Sequence, residues 1–201
     1  MKKGILITLV IVLLLVGGSF SFLKGTYNTM VDKNEVVEAN WGQVENVYQR
    51  RMDLIPNLVN TVKGYADHEK DTFSAVAEAR SKAGGVMQLN AEDLKDPKAI
   101  ERFQQAQSSL GGTLQRLMML QERYPDLKAN TSFLKLQDEL AGTENRIAIE
   151  RRRFNESAKE LNSYIKKFPQ VILANSFGFT PRAYFKATAG ADKAPKVDFG
   201  N

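Results

Sequence analysis

Gly4 to Leu23 run without one charged side chain, directly after Lys2 and Lys3, in a chain of which 25% is Asp, Glu, Lys or Arg. A helix needs roughly 20 apolar residues to cross the hydrocarbon core of a bilayer, so the run from Gly4 and Ile5 through Leu14 to Leu23 is long enough to span. Everything after it is charged and helical in pattern. The asymmetry predicts a chain tethered to a membrane at one end, with the anchor over residues 1–26. A cleaved signal peptide is the competing reading, because Ile5 to Val16 has the length of a signal core and Ser19-Phe20-Ser21 offers small residues at peptidase spacing. Phe20, Phe22 and Leu23 carry the apolar run past that point without a break, which favours a retained anchor. Lys2, Lys3 and the amino terminus precede the span, and Lys24 and Lys33 follow it. That bias places the N-terminus in the cytoplasm and the bulk of the chain outside.

The remainder is close to electrical balance. The formal charge is +5, of which Lys2 and Lys3 supply two, so composition gives no reason to expect nucleic acid as a partner. Cysteine is absent. That removes disulfides, thiolate metal sites, a cysteine nucleophile and a lipoprotein attachment thiol, and leaves the core alone to hold the fold.

Apolar residues recur with helical period from Val31 to Phe168, and no segment alternates as a strand would. A first stripe runs Val37, Trp41, Val44, Tyr48, Arg51 and Ile55. It continues in register as Leu58, Val62, Tyr65, Glu69, Phe73, Val76 and Arg80, up to a stop at Gly84-Gly85. Asp96-Pro97 supplies start chemistry for the next helix, whose stripe is Ile100, Phe103, Gln107, Leu110, Leu114 and Leu117. Tyr124-Pro125 ends it, and Asp126 opens the longest helix, with Phe133, Leu140, Glu144, Ile147, Arg151, Phe154, Leu161, Ile165 and Phe168 on one face. The expected domain is an all-α bundle over residues 27–168.

Pro56 divides the alternatives. A proline inside a helix loses one backbone bond and crowds the preceding turn, so the chain could reverse at Asp53-Leu54-Ile55-Pro56 and give four helices. The stripe, however, passes Pro56 without a slip, which local physics reads as one long kinked helix and three helices in all. Four helices would return the end of the last one toward the membrane; three would send it away. Beyond Pro169 the periodicity fails. Phe177, Phe179, Tyr184 and Phe185 cluster there, too aromatic for disorder, so residues 169–186 are expected to dock on the bundle or on a neighbouring subunit. Residues 187–201 read as a mobile tail.

The blocks Arg50-Arg51-Met52-Asp53-Leu54-Ile55-Pro56-Asn57-Leu58-Val59 and Thr61-Val62-Lys63-Gly64-Tyr65-Ala66, with His68-Glu69 after them, resemble the LemA family of bacterial membrane-anchored helical proteins. So do Tyr124-Pro125-Asp126-Leu127-Lys128-Ala129-Asn130, Leu136-Gln137-Asp138-Glu139-Leu140, Thr143-Glu144-Asn145 with Ile147, Phe168-Pro169, Gly178-Phe179 and Tyr184-Phe185. The blocks fall in the family's order over almost the whole chain. Phe154-Asn155 departs from it, since the family more often has tyrosine there; one hydroxyl is lost. The resemblance implies a single-pass anchor in the bacterial cytoplasmic membrane followed by an up-and-down antiparallel four-helix bundle, and so favours a reversal near Pro56. It implies no reaction.

Five polar residues lie on or beside the apolar stripes: Glu69, Arg80, Glu144, Arg151 and Asn155. A buried charge without a partner is costly, so these are expected to form a polar seam that fixes helix register. The sharper alternatives are a ligand or proton site inside the bundle and a seam between subunits. His68-Glu69 lacks the second histidine of a zinc helix, since Thr72 stands one turn on. No metal or cofactor site is expected. Arg50-Arg51, Arg151-Arg152-Arg153 and Lys166-Lys167 read as solvated faces, with Lys166-Lys167 also placed to meet anionic headgroups if the last helix returns to the bilayer. No catalytic set emerges. The expected function is therefore a non-enzymatic, self-associating scaffold or interaction protein of the cell envelope, in contact with membrane lipid and with other envelope proteins. The alternative is an envelope sensor with a polar ligand or partner site on the bundle.

Overall fold

Helix α1 runs unbroken from Lys2 to Lys63, a length of 62 residues that includes both the apolar run and Pro56. The computed structural model describes the backbone of residues 2–187 and the side chains of residues 4–187; the tail expected over 187–201 lies, apart from Ala187, outside the described residues. Within α1 the run from Gly4 onward stays wholly uncovered by the rest of the chain. Burial begins at Thr26 and Met30 and then follows Val37, Trp41, Val44, Tyr48, Arg51, Ile55, Leu58 and Val62. Those alternating steps of four and three keep one stripe facing inward along the helix.

The chain does not reverse at Pro56. The helix passes through it, because Pro56 lies on the exposed face, where water can take the place of the missing N–H. The reversal comes at 64–69 instead. Tyr65 and Ala66 both donate to the Val62 carbonyl, at 3.0 and 2.9 Å, and Ala66 is buried, so the helix ends in a tight turn tucked under the core.

Helix α2 (Lys70–Gly85) buries Phe73, Val76, Ala79 and Ala83 and packs on α3 (Pro97–Met118). Asp96 caps α3, its carboxylate accepting from the Lys98 N–H at 2.9 Å, with Pro97 in the first turn, where a proline costs no hydrogen bond. A 3-10 turn and the short α4 (Pro125–Lys128) carry the chain over the far end. The long helix then starts at Thr131 rather than Asp126, because Asn130 caps it by accepting from the Phe133 N–H at 2.8 Å. This helix, α5 (Thr131–Lys166), lies antiparallel to α1. Lys33 pairs with Glu160 at 3.1 Å, and Arg50 stands 3.9 Å from Glu139. The end of α5 thus returns toward the apolar run.

Two apolar clusters make up the core. The distal one joins Met52 to Val62 of α1 with α2, the second half of α3, Leu127, Phe133 and Leu140. The one nearer the apolar run joins Met30 to Tyr48 with Ile100 and Phe103, the α5 residues Ile147 to Ile165, and Ala174, Ala183 and Phe185. The α5 stripe from Phe154 to Ile165, which outruns α2 and α3, is therefore covered by α1, by α6 (Gln170–Phe177) and by the tail. Gly178 ends α6 at φ 77°, a left-handed conformation that costs any other residue about 1–2 kcal/mol.

Candidate functional site

Arg51 stands between the two clusters, at the point where α1, α3 and α5 meet. Its side chain is 4% exposed and Nη1 donates to Glu144 Oε1 at 2.6 Å. Nη2 donates to the Gln107 carbonyl at 2.9 Å and to its side-chain amide oxygen. The guanidinium also lies 5.2 Å from the centre of the Tyr48 ring. Burial raises the Tyr48 phenol above its usual pKa, opposed by the charges of Arg151 and Arg51. Glu144 is half-exposed, so the pair is anchored from the buried, cationic side. Beside it lies a polar cleft of about 440 Å³, with Gln104, Ser108, Gly111, Gly112 and Arg151 among its walls.

A second set of contacts holds the tail. Asn155 on α5 donates to the Phe185 carbonyl and accepts from the Phe185 N–H, both at 2.9 Å. Asn162 treats Arg182 in the same way, at 2.8 and 2.7 Å. Each amide thus replaces one residue of a partner strand. The spacing matches: seven residues of helix rise about 10.5 Å, and three residues of extended chain cover about 10 Å. Between the two clamps the Ala183 N–H donates to the Leu94 carbonyl at 2.8 Å. Arg182 is itself buried, donating to Ala91 O at 3.1 Å and to Asn34 Oδ1. Desolvation lowers its pKa, opposed by Glu38 and Glu92. The ring of Phe185 enters the core, stacked on Trp41 at 5.9 Å and edge-on to Phe154 at 5.6 Å. Arg151 lies over its other side at 4.7 Å and donates to the Lys186 carbonyl at 3.0 Å.

The five residues of the expected polar seam are thus divided. Glu144 joins Arg51, while Arg151 and Asn155 hold the tail. Glu69 sits at the start of α2, accepting from Arg123 at 3.0 Å and from the Tyr124 hydroxyl at 3.2 Å. Arg80 is exposed beside Glu45 and Gln49. Of the aromatic docking residues, Phe185 is buried and Phe179 half-buried, whereas Phe177 and Tyr184 keep much of their surface exposed. Arg51, expected with Arg50 on a solvated face, is instead buried, held by its bonds to Glu144 and Gln107; sequence reasoning did not single out Asn162 or Arg182. Arg51 alone left a signal, a charge at an apolar position of the α1 stripe. Among the described residues no group of three His, Asp or Glu side chains could hold a metal.

A chain whose described residues form helices and no strand, with an exposed apolar N-terminal helix as a candidate membrane anchor and polar side chains turned inward on its own tail, is the class that fold and site define. The chain belongs to the LemA family, whose profile matches residues 40–199. It is 30% identical over 185 residues to the magnetosome protein MamQ of Magnetospirillum gryphiswaldense, covering 83% of this chain and 66% of that protein. The magnetosome protein MamQ 2 of Paramagnetospirillum magneticum is 29% identical over the same shares. Protein LemA of Metamycoplasma hominis is 26% identical over 169 residues, 84% of this chain and 72% of the other. The chain spans 66% of the length of these MamQ proteins.

Proposed function

We propose that this protein is a non-catalytic, membrane-anchored scaffold of the bacterial envelope, in which α1, α2, α3 and α5 form one up-and-down antiparallel four-helix bundle. The observation that carries the reading is where the polar groups are spent. Asn155, Asn162, Arg182, Arg51 and Glu144 are engaged by the chain itself, so the chemistry concentrated at the seam builds a rigid body rather than a reaction centre. Helix pairing supports the bundle: α1 lies along α5 and α2 along α3. The anchor lies in the cytoplasmic membrane with its N-terminus inside and the bundle outside, on the strength of Lys2 and Lys3 before the span.

Self-association belongs to this reading through the span, whose apolar sides the rest of the chain leaves bare. The soluble helices do not demand it, since the surplus stripe of α5 is covered within the chain. The test uses the absence of cysteine. A single cysteine at exposed Leu134 in the full-length protein is expected to react with a membrane-impermeant maleimide in cells with a permeabilised outer barrier, while the protein stays in the membrane through alkaline extraction. Extraction into the soluble fraction would overturn the anchor. Protection from the reagent until the inner membrane is lysed would overturn the orientation.

A second reading, a sensor holding a small polar ligand or partner group, rests on the cleft beside Arg51 and Glu144. It predicts that Ser108→Trp, which fills the cleft from an exposed position, abolishes a phenotype without lowering the melting temperature.

A further inference from the structure

The end of α5 and the whole of α6 lie at the level where the apolar run of α1 stops. The register set by Lys33 with Glu160 and by Asn40 with the Arg153 carbonyl, continued along the pair, brings Lys166, the last residue of α5, level with Tyr27. The ring of Phe177 packs edge-on against Tyr27 at 5.0 Å, and Phe179 lies 5.9 Å from the same ring. Tyr27 is one helical turn beyond Leu23, about 6 Å along the axis.

At that level the chain exposes large apolar side chains: Phe168 is 79% exposed, Ile172 57% and Phe177 54%. Beside them Lys24, Lys166 and Lys167 are exposed, and among the described residues none of the three makes an ion pair. Water would leave this patch costly. A bilayer surface would not, because an element lying in the interface buries its apolar side about 5–10 Å into the boundary of headgroups and acyl chains while its cations meet anionic lipid.

We infer that α6, with Phe168, Ile172 and Phe177, is a second membrane contact: a short shelf seated in the bilayer interface beside the span, with Lys24, Lys166 and Lys167 on anionic phospholipid. The inference rests on the anchored reading proposed above. Continuity with the span selects the lipid surface as the occupant. The consequence is geometric. A single span allows the bundle to tilt and swivel, whereas a span and a shelf on one face fix its pose on the membrane.

The full-length protein is reconstituted in vesicles of zwitterionic lipid, with and without phosphatidylglycerol, carrying one spin-labelled cysteine at Leu14, Ile172 or Leu134. Collision with oxygen against collision with a water-soluble nickel chelate reports depth. The label at Ile172 is expected to be immersed by about 5–10 Å, that at Leu14 deeper, and that at Leu134 to remain in water. Immersion at Ile172 is expected to increase with phosphatidylglycerol, and K166Q/K167Q to abolish that increase. An immersed Leu14 with Ile172 as open to nickel as Leu134 overturns the shelf and leaves the anchor standing; nickel access at Leu14 overturns the anchor itself. A label at Ile172 shielded from both quenchers means that a protein surface covers the patch, which also overturns the shelf. Immersion unaffected by anionic lipid removes the three lysines from it.

Discussion

Asn155 and Asn162 each commit both ends of one amide to the backbone of one tail residue. A buried peptide group left without partners costs about 1–3 kcal/mol, so Asn155→Ala and Asn162→Ala are each expected to lower unfolding free energy by about that amount in urea titrations. Asn155→Asp keeps the acceptor for the Phe185 N–H and turns the other end into a second acceptor facing a carbonyl. It should therefore destabilise as much as alanine, and a mild effect would show that the clamp is not double. Arg51 follows a harsher rule, since its removal strands the Gln107 amide inside the core beside a carboxylate that has lost its counter-charge. Arg51→Ala is expected to cost about 3 kcal/mol through the buried Gln107 groups it leaves unpaired, and Glu144→Gln, which keeps an acceptor but takes the counter-charge from the buried guanidinium, at least about 1 kcal/mol.

At the scale of elements, α1 is a single helix where the family resemblance favoured a reversal. The apolar register was the better guide at Pro56, because burial of a continuous stripe outweighs one missing hydrogen bond on the solvent face, but it failed further on: the stripe expected to run in one helix to Gly84-Gly85 is broken after Lys63 by the turn at 64–69. Pro56→Ala restores that bond and is expected to raise stability by about 1 kcal/mol or more, read as a higher urea midpoint at unchanged slope; a lower midpoint would show that the proline fits a local bend. The start at Asp96-Pro97 was legible because capping is local chemistry, and α2 does stop at Gly85, although neither glycine there takes a left-handed cap conformation. The start of α5 was misplaced because two local signals competed, Pro125-Asp126 and Asn130, and the second caps the long helix. The tail was harder to read. Its aromatic residues announced a docked segment, but the match between asparagines seven apart on a helix and tail residues three apart in extended chain appears only when both are placed side by side. Arg182 gave no warning, for an arginine next to a proline in an irregular segment reads as surface.

Over the whole molecule, the polar layer at Arg51 separates a distal cluster from one nearer the apolar run, and the tail closes the second. The fold has no need of another copy to complete its core, so any association must use surfaces outside it, the bare sides of the span foremost. In lipid, helices associate through close packing and polar contacts rather than through hydrophobic burial. A scaffold built this way would gather copies in the plane of the membrane while its soluble bodies stayed distinct.

The most direct test is the mass of the full-length protein in mild detergent, measured by light scattering with the detergent contribution subtracted. Particles holding more than one copy are expected. Monodisperse single copies of the unaltered protein, across a wide range of protein-to-detergent ratios, would contradict the self-associating scaffold.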